Sequence, residues 1–281
     1  MRHAWPALLL MLGGCGQAPE PARPALFVAR DGDTTIWLFG TVHLLPAGVA
    51  WETPRINAAI ASADQLVAEL PALPPDAAAK AFLKWGRAPG LPPILARVPA
   101  AQQPALKALA DRTGTPLAQL DGLKTWAAAL MLGARAAALS GADAEHGAES
   151  VIGARFATRP RLGLETLDAQ FALFDALAEA DQQRLLAGAL KGNADYTATL
   201  TAWRNGDMAA LARIIDAPLA ASPAMRETLL TRRNARWAAW LANRMRAPGR
   251  VFVAVGAGHL AGPDSVIERL RAAGVQVSRV E

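Results

Sequence analysis

Two of the four histidines close the same local pattern. An apolar run, Thr35 to Phe39 (TIWLF), leads into Gly40-Thr41-Val42-His43, and another, Arg250 to Val255 (RVFVAV), leads into Gly256-Ala257-Gly258-His259. A loop and a helical pattern follow each turn. In open α/β sheets, ligands sit where the carboxyl ends of strands and their loops converge. Glycine allows close backbone approach at such an edge, which helps to aim an imidazole across it. A single histidine in a turn is more often a cap or a surface residue. The matched pair favours one shared site, and so one sheet built from the two ends of the chain.

The remaining segments fit that frame. Ala25 to Arg30 (ALFVAR) joins the first strand through Asp31-Gly32-Asp33, a hairpin signal. Thr53-Pro54 opens a helix to Ser62, and Gln65 to Ala68 (QLVA) is a third short strand, ending at Glu69. From Pro75 to about Ala220, alanine and leucine at helical spacing predict a mainly helical insertion, within which Arg161 to Leu164 (RLGL) is a strand that stops at Glu165. Ser222 as N-cap and Pro223 in the first turn open a long helix to Arg246. Pro263 to Ala273 is a helix closed by Gly274, before a last strand from Val275 to Val280. The expected fold class is α/β: one domain over residues 25–281 whose mixed central sheet comes from the N- and C-terminal segments, with a large helical insertion.

By the same argument Glu69 and Glu165 end on the edge that carries His43 and His259. Two imidazoles and one or two carboxylates suit a divalent ion such as Zn, Mn, Fe or Co, and leave positions for water. A metal-bound water becomes a nucleophile near neutral pH. The bland alternative for either glutamate is a solvated strand end. In the long helix Leu230, Asn234, Trp237 and Leu241 form the apolar stripe, with Arg233 beside it. A buried amide and guanidinium need polar partners, and could orient Glu69 or an oxyanion; a snorkelling arginine and an asparagine bonded to backbone is the competing reading. His146, in Glu145-His146-Gly147, reads as a surface residue or a helix start.

With 52% apolar and 19% charged residues over 281 positions, the chain can bury a sizeable core. The +5 charge is small and dispersed, with no basic run interleaved with aromatics, which argues against nucleic acid as a partner. Cys15, the one cysteine, excludes an internal disulfide and thiolate metal clusters. Met1 to Gly16 (MRHAWPALLLMLGGCG) has the form of a secretory signal, and its apolar run is well short of the roughly 20 residues a spanning helix needs. Leu12-Gly13-Gly14-Cys15 resembles the bacterial lipobox, which implies cleavage before Cys15, its acylation (palmitate included) and a membrane anchor there. Gln17 to Pro24 (QAPEPARP) reads as a tether. Gly16 after Cys15 favours the outer membrane of a Gram-negative envelope, with the domain on its periplasmic face.

Five segments carry a resemblance: IWLFGTVHLLP (Ile36 to Pro46), the Ala68-Glu69 strand end, LGLETLDAQ (Leu162 to Gln170), RRNARW (Arg232 to Trp237) and VAVGAGHLAGPDSVIERLRAAGVQV (Val253 to Val277). In these the chain resembles the TraB/GumN family of bacterial and plasmid proteins, related to the animal Tiki domain. The resemblance implies an α/β core with a helical insert and a metal site on the two Gly-x-x-His turns. His43, Glu69 and His259 match the family's proposed metal or catalytic positions; Arg233, Asn234 and Glu165 match its other polar motif residues. Arg232 stands where the family pattern has an acid before the Arg-Asn pair, so any role for that carboxylate is absent. Tiki relatives are regarded as metal-dependent proteases, and more distant relatives include erythromycin-esterase-like and ChaN-like haem-binding proteins.

The expected function is therefore a lipid-anchored envelope hydrolase of metalloprotease type acting on a peptide or protein. His43 and His259 would bind the metal, Glu69 would ligate it or take a proton, Glu165 would be a ligand or support, and Arg233 and Asn234 would serve the oxyanion and orientation. The alternative is a non-enzymatic binder of metal, haem or a peptide signal on the same edge; the single tyrosine, Tyr196, is the one candidate of its kind for a haem. A third reading is a structural lipoprotein with a vestigial site.

Overall fold

The computed structural model describes residues 20–74, 76–191 and 193–281; the signal segment and Cys15 lie outside the described residues. Six strands form the central sheet: β1 (Leu26–Arg30), β2 (Thr34–Thr41), β3 (Gln65–Ala68), β4 (Arg161–Gly163), β5 (Gly249–Gly256) and β6 (Val277–Arg279). Their spatial order is β6-β1-β2-β5-β3-β4. β1 pairs antiparallel with β2 and β6, while β2, β5, β3 and β4 run parallel. β5 therefore sits between β2 and β3, and Thr41 pairs with Gly256. The four parallel strands end at one edge.

Both faces of the sheet are covered, which is why its central strands read as unbroken apolar runs. Phe39, Leu66 and Phe252 point to one face with Trp51, Ile56, Ile152 and Trp203. Ile36, Leu38, Val67, Val251 and Val253 point to the other with Trp237, Leu241 and Leu270. The first face is covered by α1 (Pro54–Ser62) and α6 (Ala148–Arg155), the second by α12 (Arg232–Arg244) and α13 (Val266–Ala272). Thr53 caps α1 by accepting the Ile56 N–H at 3.2 Å. The insertion has its own core around Trp126 on α5 (Thr125–Ala138), with Leu106, Leu109, Leu120 and Leu186. It also contributes the edge strand β4 to the main sheet, at the RLGL segment.

Three details depart from the sequence reading. The long helix from Ser222 is interrupted: a first turn, Pro223–Arg226, passes into a π-helical turn, Glu227–Thr231, before α12. Such turns concentrate at functional sites because they re-aim the side chains that follow, and here Arg233 and Asn234 come next. α13 starts at Val266 rather than Pro263, because Ser265 Oγ accepts the Glu268 N–H and sets the cap there. The segment read as a tether is fastened to the domain from Glu20 onward: Glu20–Pro21 pairs with Val49–Ala50, and the Arg23 N–H donates to the Arg204 carbonyl at 2.7 Å. Among the described residues no helix is long and apolar enough to cross a membrane.

The first glycine of the first Gly-x-x-His turn is required by close approach. A Cβ on Gly40 would stand 2.9 Å from the Ala257 Cα, in the second turn. Gly40→Ala should therefore push the two turns apart and destabilise the domain by about 1–3 kcal/mol. Gly32→Ala, whose Cβ meets nothing within 4 Å, should change stability by less than about 0.5 kcal/mol. Equilibrium unfolding in urea distinguishes the two.

Candidate functional site

The polar residues that follow the parallel strands form one cluster. Glu69 directly follows β3, Glu165 lies just past β4, and His259 sits in the 3-10 turn Ala257–Leu260 directly after β5. α12 brings Arg233 and Asn234, both buried, to the same edge.

Arg233 is the hub. Its Nη2 donates to Glu69 Oε2 and to Glu165 Oε2, each at 2.8 Å, and its Nε donates to the Glu165 oxygens at 3.1 and 3.0 Å. The guanidinium carbon lies 4.7 Å from the Trp237 ring centroid, a cation–π contact. Arg236 Nη2 adds a further bond to Glu165 Oε1 at 3.0 Å, so both oxygens of that carboxylate are engaged by arginines. Glu69 in turn accepts the Gly256 N–H at 2.7 Å and Gln170 Nε2 at 2.9 Å.

Asn234 sets the protonation pattern of His259. Its Nδ2 donates to the Asp264 carbonyl at 2.9 Å, which turns Oδ1 toward His259 Nδ1 at 2.6 Å. An amide oxygen only accepts, so Nδ1 carries the proton and Nε2 the lone pair, which meets Arg233 Nη1 at 3.0 Å. Burial is the main cause that pushes the His259 pKa down to about 4, which keeps the ring neutral at pH 7. For Glu69 burial acts in the opposite sense and would raise it. His259, Arg233, His43 and the Gly256 N–H outweigh burial and hold Glu69 down at about 2, as a carboxylate. His259 Nε2 and Glu69 Oε1 stand 3.9 Å apart.

His43 stands at the rim, with 72% of its side chain exposed. Its Nδ1 lies 2.9 Å from Glu149 Oε1, an oxygen that also accepts from Thr41 Oγ1. The Glu149 carboxylate pushes His43 up to about 9, and solvent around the ring keeps the energetic weight of that pair small. His43, Glu69, Glu149 and Gln170 line one cleft of about 530 Å³, together with Leu66, Leu70 and Leu73.

The cluster thus unites Glu69, Glu165, Arg233, Asn234 and His259, with His43 lining the same cleft as Glu69. His146 lies outside it, bonded to Asp143 at 2.8 Å in the turn before α6. Tyr196 lies near the rim, its hydroxyl donating to the Leu44 carbonyl at 3.0 Å. Sequence reasoning missed Glu149 and Gln170. Glu149 is the first-turn acid of α6, and only the seating of that helix on the first Gly-x-x-His turn, with the Ala148 N–H donating to the Val42 carbonyl at 3.0 Å, reveals its partner. Gln170 follows the Glu165 strand end by about one helical turn, a spacing that could have drawn attention to it. Among the described residues no three His, Cys, Asp or Glu side chains meet as a ready metal cage, because Arg233 occupies the space between Glu69, Glu165 and His259.

Removing the arginine should expose how much that cluster depends on it. Arg233→Met removes the cation shared by two buried carboxylates, leaving Glu69 with no bonded cation and Glu165 with Arg236 alone, and should destabilise the fold by about 3–5 kcal/mol at pH 7. Arg233→Lys should lose less, since it keeps the charge, but should still lose some stability because one ammonium cannot reproduce the bidentate contact. Thermal unfolding of the two variants beside the parent protein measures both.

The TraB/PrgY/gumN family model matches residues 25–279, nearly the whole chain. No curated protein and no solved structure matches it significantly. With its two Gly-x-x-His turns joined at one sheet edge, the chain belongs to the TraB/PrgY/gumN family.

Proposed function

We propose that this protein is an envelope-anchored hydrolase with a peptide bond as its target class and a divalent ion as its cofactor. The observation that carries the reading is the pair His259 and Glu69: a neutral imidazole locked by Asn234 in the tautomer that frees Nε2, facing an ionised carboxylate at the mouth of a cleft. The donor chemistry fits an ion such as Mn, Co, Zn or Fe. His43 and His259 would hold it, provided Arg233 Nη1 gives up the His259 lone pair while Arg233 stays on Glu165, and His43 gives up its proton to the ion. When bound, the ion would supply the Lewis acidity that makes water a nucleophile near neutral pH.

The chain's own groups have separable parts in this reading. Glu69, fixed by Gly256, Gln170 and Arg233, is oriented to accept a proton from the attacking water. Arg233 carries a positive charge in a site shielded from solvent, where it can stabilise a developing oxyanion. Glu165 is engaged by Arg233 and Arg236 and serves as the anchor of that arginine. Asn234 orients His259 from behind, the role a second-layer hydrogen bond plays for a ligating imidazole.

Two measurements test the proposal. Elemental analysis of the purified full-length protein, reconstituted with Mn, Co or Zn, should find near-stoichiometric metal that falls in both His43→Ala and His259→Ala, with cleavage of a casein substrate lost in Glu69→Gln. Absence of metal and of cleavage together overturns the hydrolase reading and leaves a binding protein on the same edge. For the anchor, radiolabelled palmitate should enter the wild-type chain in cells and not Cys15→Ala; equal labelling of both excludes acylation at Cys15.

A further inference from the structure

The cleft reaches from Glu69 and His43 to Arg161 and Leu162 on the free edge of the sheet. β4 is the terminal strand, and all three of its residues are exposed. The Leu66 N–H donates to the Pro160 carbonyl and the Leu164 N–H donates to the Ala68 carbonyl, so Pro160, Leu162 and Leu164 turn their backbone groups toward β3. Alternation along the strand then turns the amides and carbonyls of Arg161 and Gly163 outward, beyond the sheet. Natural sheets usually cover or charge such an edge, because it is a template for another extended chain.

The lining of the cleft combines charge with apolar surface. It holds His43, Glu69 and Glu149, the apolar Leu66, Leu70 and Leu73, and Arg161, which pairs with Leu66 at the start of β3 while Glu69 follows that strand's end. Leu73 is 37% and Leu162 45% exposed, among the few large apolar side chains left open. The Arg161 guanidinium gives one hydrogen bond, to the Gly153 carbonyl at 3.2 Å, and pairs with no carboxylate among the described residues. Gly163 lets this architecture close: a Cβ there would fall 2.4 Å from the Pro71 nitrogen, in the segment that walls the cleft.

We infer that this cleft binds an extended peptide that adds to the outer edge of β4, seats an apolar side chain against Leu70 and Leu73, and directs a carboxylate to Arg161. Backbone pairing supplies affinity in such strand addition, and the flanking pockets supply specificity. The occupant is polypeptide because the edge offers alternating donors and acceptors at strand spacing, and acidic because Arg161 on that edge has no carboxylate partner among the described residues. A second copy of the chain is the less suitable occupant, since its own β4 would bring a second Arg161 and no carboxylate to the edge. The inference deepens the peptide-hydrolase reading and rests on it for the choice of substrate class.

Equilibrium binding tests it without requiring turnover. Fluorescein-labelled alanine hexapeptides with one central leucine, ending in glutamate, glutamine or lysine, are titrated with the full-length protein, and mass spectrometry checks that the peptide is intact. The glutamate peptide should bind about tenfold more tightly than the lysine peptide, and Arg161→Glu should reverse that order. Leu73→Asp should weaken all three, and N-methylation of alternate peptide amides should weaken binding by about tenfold. Equal affinity for all three peptides in wild type and Arg161→Glu, no binding at all, or a concentration-dependent dimer that Arg161→Glu abolishes would each overturn the inference. Ordered binding without cleavage would sink the hydrolase and spare the binding mode; cleavage indifferent to Arg161 would do the reverse.

Discussion

The guanidinium of Arg233, shared among Glu69, Glu165 and His259, is the contact on which the site depends. Two carboxylates at the ends of neighbouring strands repel each other when buried. A planar cation with several fixed donors bridges both at once, which a single ammonium cannot do. The rest of the second face is arranged around it. Trp237 supports the guanidinium from one side, Asn234 turns His259 so that its lone pair faces the cation, and the π turn Glu227–Thr231 precedes the pair Arg233 and Asn234 that lies buried against the sheet.

The first-face partners act by proximity. The two turns touch at Gly40 and Ala257, Gly256 leaves room for Glu69 Oε1, and Gly147 lies so close to the His43 carbonyl that a Cβ would stand 2.1 Å from it. At each of these positions a side chain would separate elements that the site needs together. The close approach also explains why α6 can deliver Glu149 to His43 and make that carboxylate, rather than a strand end, the neighbour of the exposed imidazole.

Much of this was legible in advance because it follows from local rules. Apolar runs bounded by glycine and acidic residues gave β2, β3 and β5 nearly to the residue, and β3 ends at Ala68 as read. Asn234 on an apolar stripe signalled a buried polar partner, and that partner is His259. Glu149 was not legible, since a first-turn acid on a helix has an ordinary explanation as a dipole partner. Gln170 escaped for a similar reason: a glutamine on a half-exposed helix looks like surface until α7 (Leu167–Asp175) is seen to hold it against Glu69.

What the sequence determined by itself is the inventory: which strands end in histidine or glutamate, which helix carries a polar pair on its apolar face, and that both ends of the chain enter one sheet. Periodicity and turn chemistry are local, so they survive without a structure. Only tertiary structure decided that Arg233 stands between the two glutamates and His259, that His43 remains at the rim, and that β4 leaves its outer edge open. Those outcomes depend on strand order and on distances between residues 26 to 164 positions apart in the chain. No local pattern encodes such distances, because they arise from how two covered faces pack on one sheet.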